Sequence, residues 1–225
     1  MKALVACLWI LLLGVAPAAR AADPVWVEGT HYFRVDPSRA PPSPRGKVTV
    51  TEVFSYGCPA CNAFVPYMRA LKSSLPAGAV VDYVPASFVP SEDWPMFQRA
   101  YLTAQSLGVA DRAHDAAFEA VWKTGELATM DPSTGGLRKN MPSIEDAAKF
   151  YARVTGVPAA HFLDVARSFT IEMNMKKTDD LIKAYQADST PTLIINGKYR
   201  INGRDAGGFQ PMIDIAKWLI AKEGH

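Results

Sequence analysis

Residues 48 to 54 read Val-Thr-Val-Thr-Glu-Val-Phe, a run rich in β-branched residues whose side chains alternate between two faces, and it predicts a strand. The turn-like Ser55-Tyr56-Gly57 follows. From Cys58 to Leu75 the period changes: Phe64, Met68, Leu71 and Leu75 recur at helical spacing, and Pro59 stands early in the helix, where its missing N–H costs nothing. Val80 to Val84 is again strand-like, so the order predicts a βαβ unit with parallel strands and a right-handed crossover. From about Ser91 to Asp188 only helical patterns recur. Phe97, Ala100, Tyr101, Ala104 and Leu107 share a face that ends at Gly108, and Asp111 is placed to cap a helix running to Gly125. Ser143-Ile144-Glu145-Asp146 resembles a capping box, with Ile144, Ala147, Ala148 and Tyr151 as the stripe behind it. Further helices are expected over Ala159 to Phe169 and Ile171 to Tyr185, with a loop over Met130 to Pro142.

Strand character returns at Thr192 to Ile195, and Asn196-Gly197 is a strong hairpin signal leading into Tyr199-Arg200-Ile201. Phe209, Met212, Ile213, Ala216 and Ile220 then share one face of a closing helix. Upstream, His31 to Val35 reads as a further strand and the proline-rich Asp36 to Gly46 as an exposed connection. Strands, then helices, then a hairpin and a helix predict one α/β domain interrupted by an all-helical insertion.

The first residues change the chemical context. Met1-Lys2 is a short positive start, Ala3 to Ala16 an apolar run of 14 residues, and Ala19-Arg20-Ala21 a small-x-small cleavage pattern, as in a secretory signal peptide over residues 1–21. The run falls short of the roughly 20 residues that span a bilayer. Leu4-Val5-Ala6-Cys7 superficially resembles a lipoprotein box, but six residues leave no room for an apolar core before Cys7. The chain of 225 residues is 49% hydrophobic and 20% charged, which excludes disorder and is enough for a substantial core. Removing Lys2 and Arg20 turns the formal charge of +2 into 22 basic against 22 acidic residues, so nothing favours a nucleic-acid or anionic-membrane surface.

An exported chain of this kind keeps two cysteines, Cys58 and Cys61, where disulfides persist. A bridge between them closes too short a loop to stabilise much, so the pair is better suited to chemistry than to stapling. On a helix start, free N–H groups and the dipole stabilise an anion, and Cys58 is expected to be a thiolate near neutral pH. A thiol pKa lowered by about 3 would favour the dithiol by about 4 kcal/mol, or about 90 mV, making the disulfide an oxidant. Zinc, a cysteine hydrolase and an inert disulfide remain rivals. However, no second CxxC or HxxxH motif is present, and a hydrolase has no use for the second thiol. His31, His114, His161 and His225 read individually as surface or cap residues rather than catalysts. Glu52 shares a strand face with Val48, Val50 and Phe54, so its carboxyl should be buried with a raised pKa. That makes it either a proton acceptor for Cys61 or a partly solvated strand-end glutamate. Thr190-Pro191 precedes the returning strand, at a place where proline is tolerated.

The strand Val-Thr-Glu-Val-Phe, the approach Phe54-Ser-Tyr-Gly-Cys-Pro-Ala-Cys61, Thr190-Pro191 and the Asn196-Gly-Lys-Tyr199 hairpin resemble the DsbA-type thiol:disulfide oxidoreductases of the thioredoxin superfamily. The resemblance spans the chain after the leader. It implies a thioredoxin-like fold with an inserted all-helical domain, divided as 22–90, 91–186 and 187–225. It also implies an exposed nucleophile at Cys58, a buried resolving thiol at Cys61, Pro59 and Ala60 as the intervening motif, a cis Pro191 against the disulfide, and Thr190 offering its backbone to a substrate strand. The implied activity is donation of the Cys58–Cys61 disulfide to unfolded exported proteins in the periplasm, by a monomer reoxidised by a DsbB-like quinone-linked membrane oxidase, with no metal or organic cofactor. Ala60 stands where well-studied members carry His, which predicts a weaker oxidant. A lysine that pairs with the buried glutamate in some members has no counterpart near Asp82 and Tyr83. Isomerase or reductase chemistry on the same fold, and a peptide-binding module with a structural disulfide, are the alternatives.

Overall fold

The computed structural model describes residues 26–39 and 47–223, so the leader expected over 1–21 and most of the proline-rich connection lie outside the described residues. Five strands form one sheet in the order β1-β5-β4-β2-β3. They are β1 (Phe33–Arg34), β2 (Thr49–Phe54), β3 (Val80–Pro85), β4 (Thr192–Ile195) and β5 (Tyr199–Asn202). The βαβ expectation holds: β2 and β3 are parallel, joined by α1 (Pro59–Ser74), and β2 pairs antiparallel with β4 on its other side. β2 is therefore central, and its alternation sends side chains to two different cores. Val50 and Phe54 pack with Phe64 and Leu71 of α1 and with Met212 and Leu219 of α8 (Phe209–Glu223). On the opposite face Val53 joins Val84, Ile194, Ile182 of α6 (Phe169–Ala184) and Tyr185, which caps the end of that helix. The β4–β5 hairpin turns at Asn196-Gly197, both at positive φ (52° and 64°), the backbone that an Asn-Gly pair tolerates best.

Between β3 and β4 the chain is helical. It forms α2 (Trp94–Ser106), α3 (Ala110–Trp122), α4 (Ile144–Thr155), α5 (Ala159–Ala166) and α6, after a single 3-10 turn over Pro90–Glu92. The capping box of α4 is complete, with Ser143 and Asp146 bonding each other's backbone N–H. Phe54 links this layer to the sheet, with ring centroids 4.9 to 6.0 Å from Tyr56, Tyr83, Tyr101, His114 and Phe118. Full burial of such a ring contributes about 1.5–3 kcal/mol.

Several local expectations are corrected. Asp111 does not cap α3. It lies inside the first turn after Val109, and the helix stops at Trp122 rather than reaching Gly125. Phe169 belongs to α6, not α5, because the Ser168 hydroxyl accepts from Ile171 N–H and starts the new helix there. The upstream strand shrinks to two residues, and a one-turn helix α7 (Gly203–Ala206), capped by Asn202, was not foreseen.

Candidate active site

β2 ends at the buried Phe54, and the tight turn Ser55–Gly57 delivers Cys58 to the start of α1. Cys58 is the N-cap, in extended backbone (φ −84°, ψ 117°), and Pro59 takes the first helical turn, exposed to solvent, with Ala60 half-buried beside it. Cys58 Sγ accepts from Cys61 N–H at 3.4 Å and reaches the Thr190 carbonyl at 3.5 Å. The Thr190–Pro191 peptide is cis, with Thr190 half-buried and Pro191 buried. The site thus gathers Cys58, Cys61 and the Thr190-Pro191 pair, which lie more than a hundred residues apart in the chain.

The two thiols are free and differ in environment. A hydrogen bond from the Cys61 thiol is the largest influence on Cys58. Burial opposes it, but the Thr190 side chain and the amides of Cys61 and Ala60 add to it, and the pKa falls from 9.0 to about 6. Cys61 moves the other way: burial, the same hydrogen bond and the Cys58 and Glu52 charges all hold it well above the ordinary thiol range. The lowering expected from the helix start is found, yet the neighbouring thiol contributes more to it than the backbone amides do. Cys58 is also less open than the resemblance implied. It is 5% exposed, against 0% for Cys61, because the Thr190 main chain lies over its sulfur.

Glu52, midway along β2, is 3% exposed, and burial followed by the Cys58 charge pushes its pKa from 4.5 to about 8. It lines a cavity of about 110 Å³ with Met68, Lys72, Tyr83, His114 and Phe118. Tyr83, not a lysine, stands directly opposite Glu52 on β3, and the cations of the cavity are Arg69 and Lys72. A space of this size holds several water molecules, and its charged rim opens to solvent at Lys72, Asp111 and Asp115.

His114 is the residue that the sequence reading misplaced. Far from the surface, it is 7% exposed inside the aromatic cluster, with Nδ1 3.1 Å from the Tyr56 hydroxyl, and burial lowers its pKa from 6.5 to about 4. The signal was available: Ala110, Ala113, His114, Ala117, Phe118 and Val121 form the buried face of α3 at i, i+3, i+4 spacing. Among the described residues no group of His, Cys, Asp and Glu is arranged to hold a metal ion, and no helix is long and apolar enough to cross a membrane.

A dithiol opening the first helix after a central strand, facing a cis-proline peptide, defines a thiol:disulfide oxidoreductase of thioredoxin-like fold. A family model described as Thioredoxin matches residues 42–215. The thiol:disulfide interchange protein DsbA of Pseudomonas aeruginosa is 35% identical over 206 residues, covering 92% of this chain and 89% of its own. DsbA of Azotobacter vinelandii is 31% identical, covering 94% and 92%. The crystal structure of the oxidoreductase DsbA from Xylella fastidiosa superposes with a TM-score of 0.73 at 30% identity, over 89% of this chain and 97% of that one. The chain belongs to the DsbA family of thiol:disulfide interchange proteins, with the helical insertion that this family places in the thioredoxin-like fold.

Proposed function

We propose that the protein donates the Cys58–Cys61 disulfide to unfolded exported proteins in the periplasm, reached by cleavage of residues 1–21. A substrate thiolate attacks Cys58 Sγ of the disulfide, the sulfur–sulfur bond breaks, and Cys61 leaves as a thiolate that takes a proton. A second substrate thiolate then attacks the substrate sulfur of the mixed disulfide. This releases the oxidised substrate and leaves Cys58 as a thiolate, so two electrons and the matching protons pass from substrate to protein. Glu52, protonated up to about pH 8, exchanges a proton with Cys61, whose thiol its charge affects, and the cavity beside Glu52 connects it to solvent. Thr190 and Pro191 receive the substrate backbone beside Cys58, with Pro59 and Ala60 shaping the opposite rim. A DsbB-like quinone-linked membrane oxidase restores the disulfide, and the protein works as a monomer without metal or organic cofactor. Residues 22–90 and 187–225 form the redox domain, and 91–186 form the helical one.

The observation that carries this reading is the asymmetry of the pair, a thiolate-prone Cys58 beside a sealed Cys61 whose thiol supports it. The low pKa of Cys58 makes it the better leaving group when the mixed disulfide is resolved, and the sealed position of Cys61, 0% exposed against 5% for Cys58, directs attack to Cys58. Cys61→Ser in the presence of a reduced cysteine-containing peptide and an oxidant tests it. Mixed disulfide accumulating on Cys58 is expected. Equal trapping by Cys58→Ser through Cys61 would remove the assignment of roles.

A further inference from the structure

The turn that leads into Cys58 is held by two tryptophans from the helical insertion. The peptide between Tyr56 and Gly57 is pinned at both polar ends: Trp122 Nε1–H donates to the Tyr56 carbonyl at 2.8 Å, and Gly57 N–H donates to Ser55 Oγ at 3.2 Å. The next amide, Cys58 N–H, donates to the Ser55 carbonyl at 3.1 Å. Trp94 closes the remaining side. A Cβ added to Gly57 would fall 2.7 Å from Trp94 Nε1 and 2.9 Å from its Cδ1, so the indole occupies the space a side chain would need. Trp94 is itself tethered, through Nε1–H to Glu92 at 3.1 Å.

Gly57 does not lie at positive φ. Its glycine is required by the close approach of the Trp94 ring, and the peptide before it would be free to rotate were its ends not held. That freedom matters because Cys58 Sγ accepts from Cys61 N–H at 3.4 Å, a bond that favours the thiolate and that a shift of the turn would lengthen. Trp122 sits at the last residue of α3, on the insertion, and its indole N–H is the donor from that layer to the turn's main chain.

We propose that Trp122 is a positioning residue for the redox centre, its indole N–H fixing the Tyr56–Gly57 peptide so that Cys58 sulfur stays in its hydrogen bonds. This makes the helical insertion a determinant of thiol reactivity as well as a cover for the sheet. It rests on the reading of Cys58 as the reactive thiol.

Trp122→Phe tests the idea, since it keeps a packed ring and deletes only the donor. One intramolecular hydrogen bond contributes about 0.5–1.5 kcal/mol, so the Cys58 pKa, read by thiolate absorbance, rises by about 0.4 to 1. The equilibrium with glutathione moves about two- to tenfold toward a less oxidising pair. Trp218→Phe, on the outer face of α8, leaves both unchanged. Ser55→Ala removes the second pin and shifts both in the same direction as Trp122→Phe, which keeps the test alive should the tryptophan variant fold poorly. A lowered Cys58 pKa in the unmodified protein that neither variant moves, even with a loss of stability, makes Trp122 merely structural and overturns the proposal alone. An ordinary thiol pKa in the unmodified protein overturns the functional reading and this proposal together.

Discussion

Replacing Glu52 by Gln isolates the effect of a carboxyl held under the active site. Folding raises Glu52 from 4.5 to about 8, so the folded protein keeps a proton that the unfolded chain releases. The stability this proton contributes is fully present below pH 4.5 and is lost as pH rises through about 8. The whole span amounts to about 5 kcal/mol, of which about 3 kcal/mol is already gone at pH 7. Gln cannot ionise and fills nearly the same volume at the edge of the cavity of about 110 Å³. Reduced Glu52→Gln should match the reduced wild type near pH 4 and exceed its unfolding free energy by about 3 kcal/mol at pH 7, in urea unfolding followed by circular dichroism. Part of the elevation comes from the Cys58 charge, so the gain should shrink in a Cys58→Ser background, where that charge is missing. Parallel pH profiles for wild type and Glu52→Gln would refute the reasoning, because they require Glu52 to ionise in the fold as readily as in the unfolded chain.

His114 carries the opposite sign: its pKa drops from 6.5 to about 4, so its contribution is present above 6.5 and lost as pH falls through about 4. His114→Phe should therefore lower the pH midpoint of acid unfolding, offset by about 1 kcal/mol for the Tyr56 hydroxyl left without its partner, and an unmoved midpoint contradicts the buried neutral imidazole. Ser143→Ala removes the hydroxyl half of the α4 capping box, leaving the residue-143 N–H bonded to Asp146, and should cost about 1 kcal/mol in chemical denaturation, with no change in thiol reactivity. Ala60→His places an imidazole beside the Cys58 thiolate. If it adds about 1 kcal/mol of stabilisation, the reduction potential rises by about 20 mV, and a potential that falls rules that interaction out.

Local patterns carried most of the architecture. The β-branched run before Cys58, the helical stripe from Phe64 to Leu71 and the Asn196-Gly197 turn each favour one structure with little competition, and each forms where expected. What failed depended on partners distant in sequence. Asp111 has the chemistry of a cap, but it sits inside α3, whose first turn is fixed by burial of Ala110, Ala113 and His114. His114 was read as a lone polar residue because the aromatic ring of partners around it comes from β2, β3 and α2. Within the site, the position of Cys58 at a helix start and the burial of Glu52 followed from spacing and alternation. The Thr190 main chain over the sulfur and the tryptophan clamp on Tyr56-Gly57 did not, since each is a contact made only when separate segments meet, whereas the leading role of the Cys61 thiol in lowering the Cys58 pKa is a local contact three residues away.

The redox equilibrium of the Cys58/Cys61 pair against glutathione bears most directly on the proposed direction of reaction. With Cys58 near 6 instead of 9.0, the dithiol gains about 1.4 kcal/mol at pH 7, equivalent to about 30 mV, and the pair should sit above about −240 mV, more oxidising than a reducing thioredoxin. A potential near the roughly −270 mV of a reducing thioredoxin would instead make this protein a reductant and contradict disulfide donation.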